Sequence, residues 1–368
     1  MKKTTLCTMC GFVGLVALVV NVGCGKEPGS SGTNKLPPIE KTDNPATGDT
    51  SGTSGGTGAT GTKATTASAS GAPTLTAAEL DRVVKADKKY KILLIVKTLN
   101  NPFFKPMVEE FKKTAESLGV QGDVQSAPQE TDVDKQAALV QNAAAQGYKA
   151  ICITPADSKA LAPALKAASD KGLIIINVDN RLDSAACKSA GLKIGGYVGA
   201  DNEAGGRMAG EALLNILNNT GKVVIIEGIR GVDNAEARRR GFEEAVKGKF
   251  TIVDRQSADW MTEKAQKVMQ NLLAAHPDIN GVFCANDEMA IGAIVALKNA
   301  GKAGLVKVVS YDNIVEIRPY LKGGELYATI EQHPDLMGQE AARLAVGVLD
   351  GKIKPGGEML VELEEKLR

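Results

Sequence analysis

Histidine and cysteine are scarce in this 368-residue chain, which has two of the first and six of the second. Cys7 and Cys10 fall in an N-terminal segment with the marks of an export signal, so no Cys-x-x-Cys pair remains once that segment leaves. Cys152 and Cys284 sit inside apolar strand patterns, as buried thiols do, and Cys187 is expected in a loop. With so few ligands, a zinc site or a disulfide framework is excluded as the organising feature, and no metal or cofactor is expected. An excess of one charge is also missing. Lys and Arg number 44 against 43 acidic residues, for a net charge of +1. The folded part has one basic run, Arg238-Arg239-Arg240, in which Arg239 and Arg240 are expected to face solvent. Nucleic acid is therefore a poor partner. The folded part has no Gly-x-x-x-x-Gly-Lys-Ser/Thr loop, no Gly-x-Ser-x-Gly elbow and no metal-ligating pair of histidines, so an enzyme is not expected.

A membrane-spanning apolar run is lacking too. Lys2 and Lys3 precede Gly11 to Val20, which falls short of the roughly 20 residues a span needs. Asn21-Val22-Gly23-Cys24 then resembles a bacterial lipoprotein cleavage site, with Asn21 where leucine is usual; an ordinary secretory signal with a stray cysteine is the alternative. This predicts a signal peptide over 1–23, lipidation of Cys24 and a low-complexity linker over 24–74. Residues 25–72 are rich in Gly, Ser, Thr, Ala and Pro with no apolar periodicity, a composition that cannot bury enough surface to fold. As a flexible coil of about 48 residues, such a tether would span roughly 35–40 Å.

From about residue 75 the chain is long enough for two domains, and strand and helix patterns alternate. Lys91–Val96, Ala150–Thr154 and Leu173–Val178 are apolar strand runs, with helical spacing over Phe103–Leu118 and Ser158–Asp170. A second series runs through Tyr197–Ala200, Lys222–Glu227, Phe250–Arg255, Gly281–Ala285 and Leu305–Ser310. Its helices are expected at Glu203–Asn218, Ala235–Val246, Glu263–Ala275 and Glu288–Asn299. The alternation predicts an α/β fold of two doubly wound parallel sheets. Ligands of such sheets bind beyond the carboxyl ends of the strands. Six segments fall where strand patterns end: Lys97 to Phe104, Asn177 to Asn180, Glu236 to Arg238, Ala258 to Trp260, Ala285 to Ala290, and Tyr311-Asp312 with Glu331 to Pro334. They supply rings, carboxylates, amides and an arginine, which suit a small polyhydroxylated molecule.

Thr98-Leu99-Asn100-Asn101-Pro102-Phe103-Phe104, Cys284-Ala285-Asn286-Asp287-Glu288-Met289-Ala290 and Ala258-Asp259-Trp260 carry a family resemblance. From about Lys89 to Gly351 the chain resembles the ribose/allose-type periplasmic sugar-binding proteins of ABC importers, with the type I periplasmic binding protein fold. Lys97, Ile225-Ile226-Glu227-Gly228, Glu236-Ala237-Arg238-Arg239 and Trp260 look more like the allose branch than the ribose branch. The resemblance implies two lobes joined by a three-crossover hinge: 88–200 with 333–360, and 201–332 with 361–368. It implies an exported, periplasmic or cell-surface receptor, a monomer. Such a receptor delivers a monosaccharide to an inner-membrane permease. A sugar sensor docking to a chemotaxis or histidine-kinase receptor is the alternative. A related repressor would need a DNA-binding helix-turn-helix where this chain has a signal and a linker.

The same resemblance assigns the site. Phe103, Phe104 and Trp260 match ring-stacking residues, whose flat faces pack on sugar C–H groups. Phe103 and Phe104 also fit as the first core residues of the next helix. Asp179 and Asp312 match hydroxyl-accepting carboxylates from the two lobes. A helix N-cap or turn residue is the alternative for Asp179, and a general acid and base role for the pair is unnecessary once they accept hydroxyls. Asn101, Asn286 and Gln332 supply amides that donate and accept; turn or cap chemistry is the alternative for each. Arg238 offers a planar fork to a ring oxygen and a hydroxyl. Lys97 and Asn180 depart from the ribose branch, as does Thr154, and point to an allose-like hexose or a related ketose.

Overall fold

The structure is a computed structural model, and it describes residues 71–368. The chain enters through α1 (Ala77–Leu80), with Thr76 and Glu79 forming a capping box. Then follow β1 (Lys91–Val96), α2 (Phe104–Ser117), β2 (Gln121–Ser126), α3 (Val133–Ala143) and β3 (Ala150–Ile153). Next come α4 (Ala162–Asp170), β4 (Ile174–Val178), α5 (Ser184–Ala190) and β5 (Gly196–Ala200). A second series holds α6 (Asn202–Ile216), β6 (Gly221–Glu227), α7 (Asp233–Val246), β7 (Phe250–Ser257) and α8 (Thr262–Ala275). It continues with β8 (Gly281–Cys284), α9 (Asp287–Asn299), β9 (Lys307–Tyr311), α10 (Arg318–Gly323) and β10 (Ala328–Glu331). The chain ends with α11 (Pro334–Leu349), β11 (Gly357–Val361) and β12 (Glu364–Leu367).

Two six-stranded sheets result, ordered β11-β5-β4-β3-β1-β2 and β12-β10-β9-β8-β6-β7. The first is wholly parallel; the second is parallel except for β12, which pairs antiparallel with β10. Helices alternate with strands up to β11, so the molecule has two α/β lobes. The central strands β1, β3 and β4 are buried along nearly their whole length, because helices cover both faces and leave no polar alternation. Phe104, Met107, Phe111 and Ala115 form the buried stripe of α2, at helical spacing. Each large side chain there contributes about 1.5–3 kcal/mol through burial. Phe111 and Ala115 of the stripe lie against β2 at Gly122, and α2 approaches α11 so closely that a Cβ at Gly338 would overlap the Met107 carbonyl.

The chain passes between the sheets three times: from β5 into α6, from β10 into α11, and from β11 into β12. The second passage bends at His333, whose φ of 51° is left-handed. Some expectations shift. The helix expected from Ser158 begins at Ala162, with Pro163 in its first turn, and Cys187 lies in α5 rather than in a loop. Among the described residues, no helix is long and apolar enough to cross a membrane. The signal segment, the linker to residue 70 and Cys24 lie outside the described residues.

Candidate functional site

Between the carboxyl ends of the two sheets lies a cavity with about 250 Å³ of empty space. The first lobe lines it with Lys97, Asn101, Phe103, Phe104, Glu130 and Asp179. Asn234, Arg238, Trp260, Asn286, Asp312 and Gln332 line it from the second series and the second crossover. The lobes are closed over it. The Asp233 N–H donates to Ser158 Oγ at 3.1 Å, and the Asn234 N–H to Asn180 Oδ1 at 3.2 Å.

Lys97 follows β1, whose apolar run ends where the sheet meets the cleft. Its own N–H donates to Thr154 Oγ1 at 3.1 Å, so Thr154 fixes the strand end. The ammonium lies 3.9 Å from Asp179 Oδ2 and 4.0 Å from Glu130 Oε2, and only 2% of Lys97 is exposed. Asn101 Nδ2 donates to Glu130 Oε1 at 2.7 Å, while its Oδ1 accepts from the Phe103 N–H and tightens the turn into α2. Phe103 and Phe104 meet edge to face, with centroids 5.1 Å apart. Both belong to the core of the first lobe and both line the cavity.

Asp179 follows β4 with φ at 61°, a left-handed backbone that a carboxylate residue adopts only at a cost. The Tyr197 hydroxyl donates to its carbonyl at 2.7 Å, and the Asp179 N–H donates to Val198 O at 2.9 Å. Trp260 is left-handed as well, at φ 67°, and its ring rests on Gly228, where any Cβ would overlap it. Asn286 caps α9 by accepting from the Met289 N–H at 2.9 Å, and its Nδ2 donates to Trp260 O at 3.4 Å. Its cap chemistry and its place on the cavity wall coexist.

Arg238 is 3% exposed. Its Nε donates to Asn202 Oδ1 and its Nη1 to Ala285 O, each at 2.8 Å. Nη1 is also 3.5 Å from Asp312 Oδ1, and the guanidinium stacks 3.8 Å above the Tyr311 ring. Gln332 Nε2 donates to Asp312 Oδ1 at 2.6 Å. Of its neighbours, Arg240 is about half exposed, while Arg239 is held by Glu236 and Glu243.

Burial pushes the carboxyl groups of Glu130, Asp179 and Asp312 up from the ordinary range. Lys97 opposes this at Glu130 and Asp179, and Arg238 at Asp312. Four buried side-chain atoms of the lining residues lack a hydrogen-bond partner within the protein: Asp179 Oδ1, Asn234 Oδ1, Trp260 Nε1 and Gln332 Oε1. Such groups are costly to bury unless something completes them. The site thus offers unmet acceptors and donors beside three aromatic rings.

Asn180 is placed differently from its expectation. It does not line the cavity; its Nδ2 donates to Pro155 O at 2.9 Å and its Oδ1 takes the Asn234 N–H across the lobes. Two lining residues escaped the sequence reading. Glu130 follows β2, a polar strand with no apolar signal, and Asn234 sits in a first helical turn that resembles a loop in composition. A larger outer chamber, of about 790 Å³ of empty space, opens beyond Glu130 and Trp260 between Pro128, Thr131, Met261 and Glu288.

Residues 92–353 match the family model of the periplasmic binding protein domain. The chain is 39% identical over 248 residues to the D-ribose/D-allose-binding protein of Pseudomonas aeruginosa, covering 67% of this chain and 77% of that one. It is 36% identical over 286 residues to the D-allose-binding periplasmic protein of Escherichia coli, covering 77% and 91%. Among solved structures, it resembles an ABC transporter periplasmic solute-binding protein from Actinobacillus succinogenes with bound D-allose. That match has a TM-score of 0.72 and 40% identity, over 76% of this chain and 97% of the other.

Proposed function

This chain belongs to the periplasmic binding protein family, and from that premise we propose that it captures a neutral hexose of the allose type, or a related ketose, between its lobes and delivers it to an ABC importer. One observation carries the reading: buried, unpartnered polar atoms of Asp179, Asn234, Gln332 and Trp260 converge on a cavity also walled by Phe103 and Phe104. Sugar hydroxyls both donate and accept, so they can complete carboxylate and amide oxygens at once. The rings of Phe103, Phe104 and Trp260 supply apolar walls for the C–H faces of the sugar ring. Arg238 and Lys97 contribute the cationic donors.

Charge favours a neutral ligand over a phosphorylated one. The lining has the carboxyl groups of Glu130, Asp179 and Asp312 against the two cations Lys97 and Arg238. A phosphate would add negative charge to a buried site already short of cations. The relatives are named as binding proteins, and this chain binds rather than transforms its ligand.

In this reading the lobes comprise 88–200 with 333–360 and 201–332 with 361–368, and they close by bending at the three passages. The ligand favours the closed form by the bonds it adds there. The exported receptor is a monomer, anchored through lipidated Cys24, with the Gly/Ser/Thr-rich linker as tether. Support for the importer comes from the names of relatives and neighbours, and support for the anchor from the cleavage-site pattern. Trp260, the only tryptophan, gives the test. D-allose or D-allulose should shift its emission saturably. An unchanged spectrum with every neutral monosaccharide, in a folded protein, would sink the reading.

A further inference from the structure

Asn202 is the first helical residue after the chain leaves β5 for the second lobe. Nothing in its sequence context marks it as part of the cavity, and it does not line it. Yet it is 5% exposed and spans two elements. Its Oδ1 accepts from Arg238 Nε at 2.8 Å, and its Nδ2 donates to Ala200 O at 3.3 Å, in the last residue of β5.

The helices that carry these two residues are built to meet. A Cβ at Gly206, one turn after Asn202 on the same face of α6, would overlap the Arg238 carbonyl. At Gly241 it would overlap the Glu203 carbonyl, and at Gly210 it would crowd Ala245. Backbones therefore touch along this seam, and the short asparagine side chain reaches a guanidinium that a wider helix spacing would leave out of range. Tyr311 stacks on one face of the same guanidinium, and its own ring occupies the space that a Cβ at Gly205 would need. Nε and Nη1 are thus committed to protein acceptors, Asn202 and Ala285, and the plane is fixed by Tyr311. Nη2 takes part in none of these bonds and is the nitrogen left to face a ligand.

We propose that Asn202 is the positioning residue for Arg238: it fixes the fork's orientation and ties it to the hinge strand. The proposal rests on the sugar-binding reading for its affinity arm alone. With Asn202 in place, Arg238 presents a preset donor, and the ligand spends nothing on orienting a long side chain. Because Asn202 also holds Ala200, the orientation of the fork follows the bend between the lobes. The Arg238–Asp312–Gln332 bonds extend the same chain to the second passage.

Asn202→Ala, Asn202→Asp and Asn202→Leu in the mature full-length chain separate positioning from packing. Asp keeps the acceptor for Arg238 Nε and loses only the Nδ2 donor to Ala200 O, so it separates the two bonds; Leu keeps volume without either. The expected result is a loss of sugar affinity of about tenfold or more for Ala and Leu, mainly as faster release. Asp should bind within about threefold of the parent protein. Equal losses in all three variants, or no loss in Ala and Leu, would overturn the proposal. A ligand-free arm keeps it distinct from the sugar reading. In a ¹⁵N-labelled protein the Arg238 Nε–H, assigned by its absence in Arg238→Lys, should give a slowly exchanging resonance. That resonance should persist in Asn202→Asp and be lost or exchange rapidly in Asn202→Ala and Asn202→Leu. Its persistence in Asn202→Ala and Asn202→Leu would contradict the positioning role, whatever ligand the protein takes.

Discussion

Gly228 lies directly beneath Trp260: a Cβ at this position would overlap the Cζ2, Cη2 and Cε2 atoms of the indole. The strand end at Glu227–Gly228 thus sets how far the ring stands from the cavity. Gly228→Ala should push the indole inward, an overpacking cost of about 1–3 kcal/mol. The displaced ring should also weaken sugar binding and shift the Trp260 emission before ligand is added. Fluorescence titration checks it; parental affinity and an unshifted spectrum would show that the platform has slack.

Asp179 and Lys97 should respond unequally to substitution. Removing the cation leaves the carboxyl groups of Asp179 and Glu130 buried without it, whereas Asp179→Asn removes a charge that burial already disfavours. Lys97→Met should lower unfolding free energy by about 3–5 kcal/mol near neutral pH. Asp179→Asn should leave stability nearly unchanged and cost ligand affinity about 1.5–3 kcal/mol through the lost charge-assisted bonds. Urea unfolding and calorimetry on both variants check the asymmetry.

Asp287 gives a pH dependence with a definite sign. It is fully buried, with Thr329 Oγ1 at 2.9 Å, the Ile314 N–H at 2.9 Å and the Ser310 hydroxyl as donors. Burial pushes its carboxyl group up to about 7, against the pull of those hydrogen bonds. An acid raised in the folded state holds its proton there after the unfolded chain has lost it. Stability should therefore fall as pH rises from about 4 to about 7, by at most about 1.4 kcal/mol per pH unit from this group. Asp287→Asn should flatten that slope in unfolding midpoints measured across the range.

The segment before β1 packs against the first lobe, ahead of the boundary at residue 88. Leu75 N–H donates to Glu358 O at 2.6 Å, Arg343 pairs with Asp81 at 2.6 Å, and Leu80 and Val83 are buried against the core. A chain beginning at Tyr90 should be less stable than one beginning at Ala72 by about 3–6 kcal/mol, from burial of those two side chains alone. Thermal unfolding of the two lengths checks it.

The central strands were legible because a strand covered on both faces must be apolar throughout: Lys91–Val96 and Ile174–Val178 need no alternation to be recognised. Edge strands obey no such demand. Gln121–Ser126 is half-buried and polar, and Glu364–Leu367 is largely exposed, so neither left an apolar signature. Glu130 was hidden with β2, since a cleft residue is found by locating the strand that ends before it. Asn180 shows the opposite failure. It neighbours Asp179 in sequence, but the left-handed turn at Asp179 sends the next side chain toward Pro155 and Asn234 instead of into the cavity. Left-handed backbone at Asp179, Trp260 and Asp312 is set by the folded cleft, and for the bulky Trp260 it runs against local preference.

In the proposed function the cavity between the lobes holds one neutral hexose. Calorimetric titration of the chain from Ala72 to Arg368 with allose, allulose, ribose, xylose, galactose and glucose tests it most directly. Saturable binding of allose or allulose at one site per chain is expected, with little response to ribose and loss of that binding in Arg238→Ala. A folded protein that binds none of the six, or binds with unchanged affinity after Asp179→Ala, Asp312→Ala and Arg238→Ala, would contradict it.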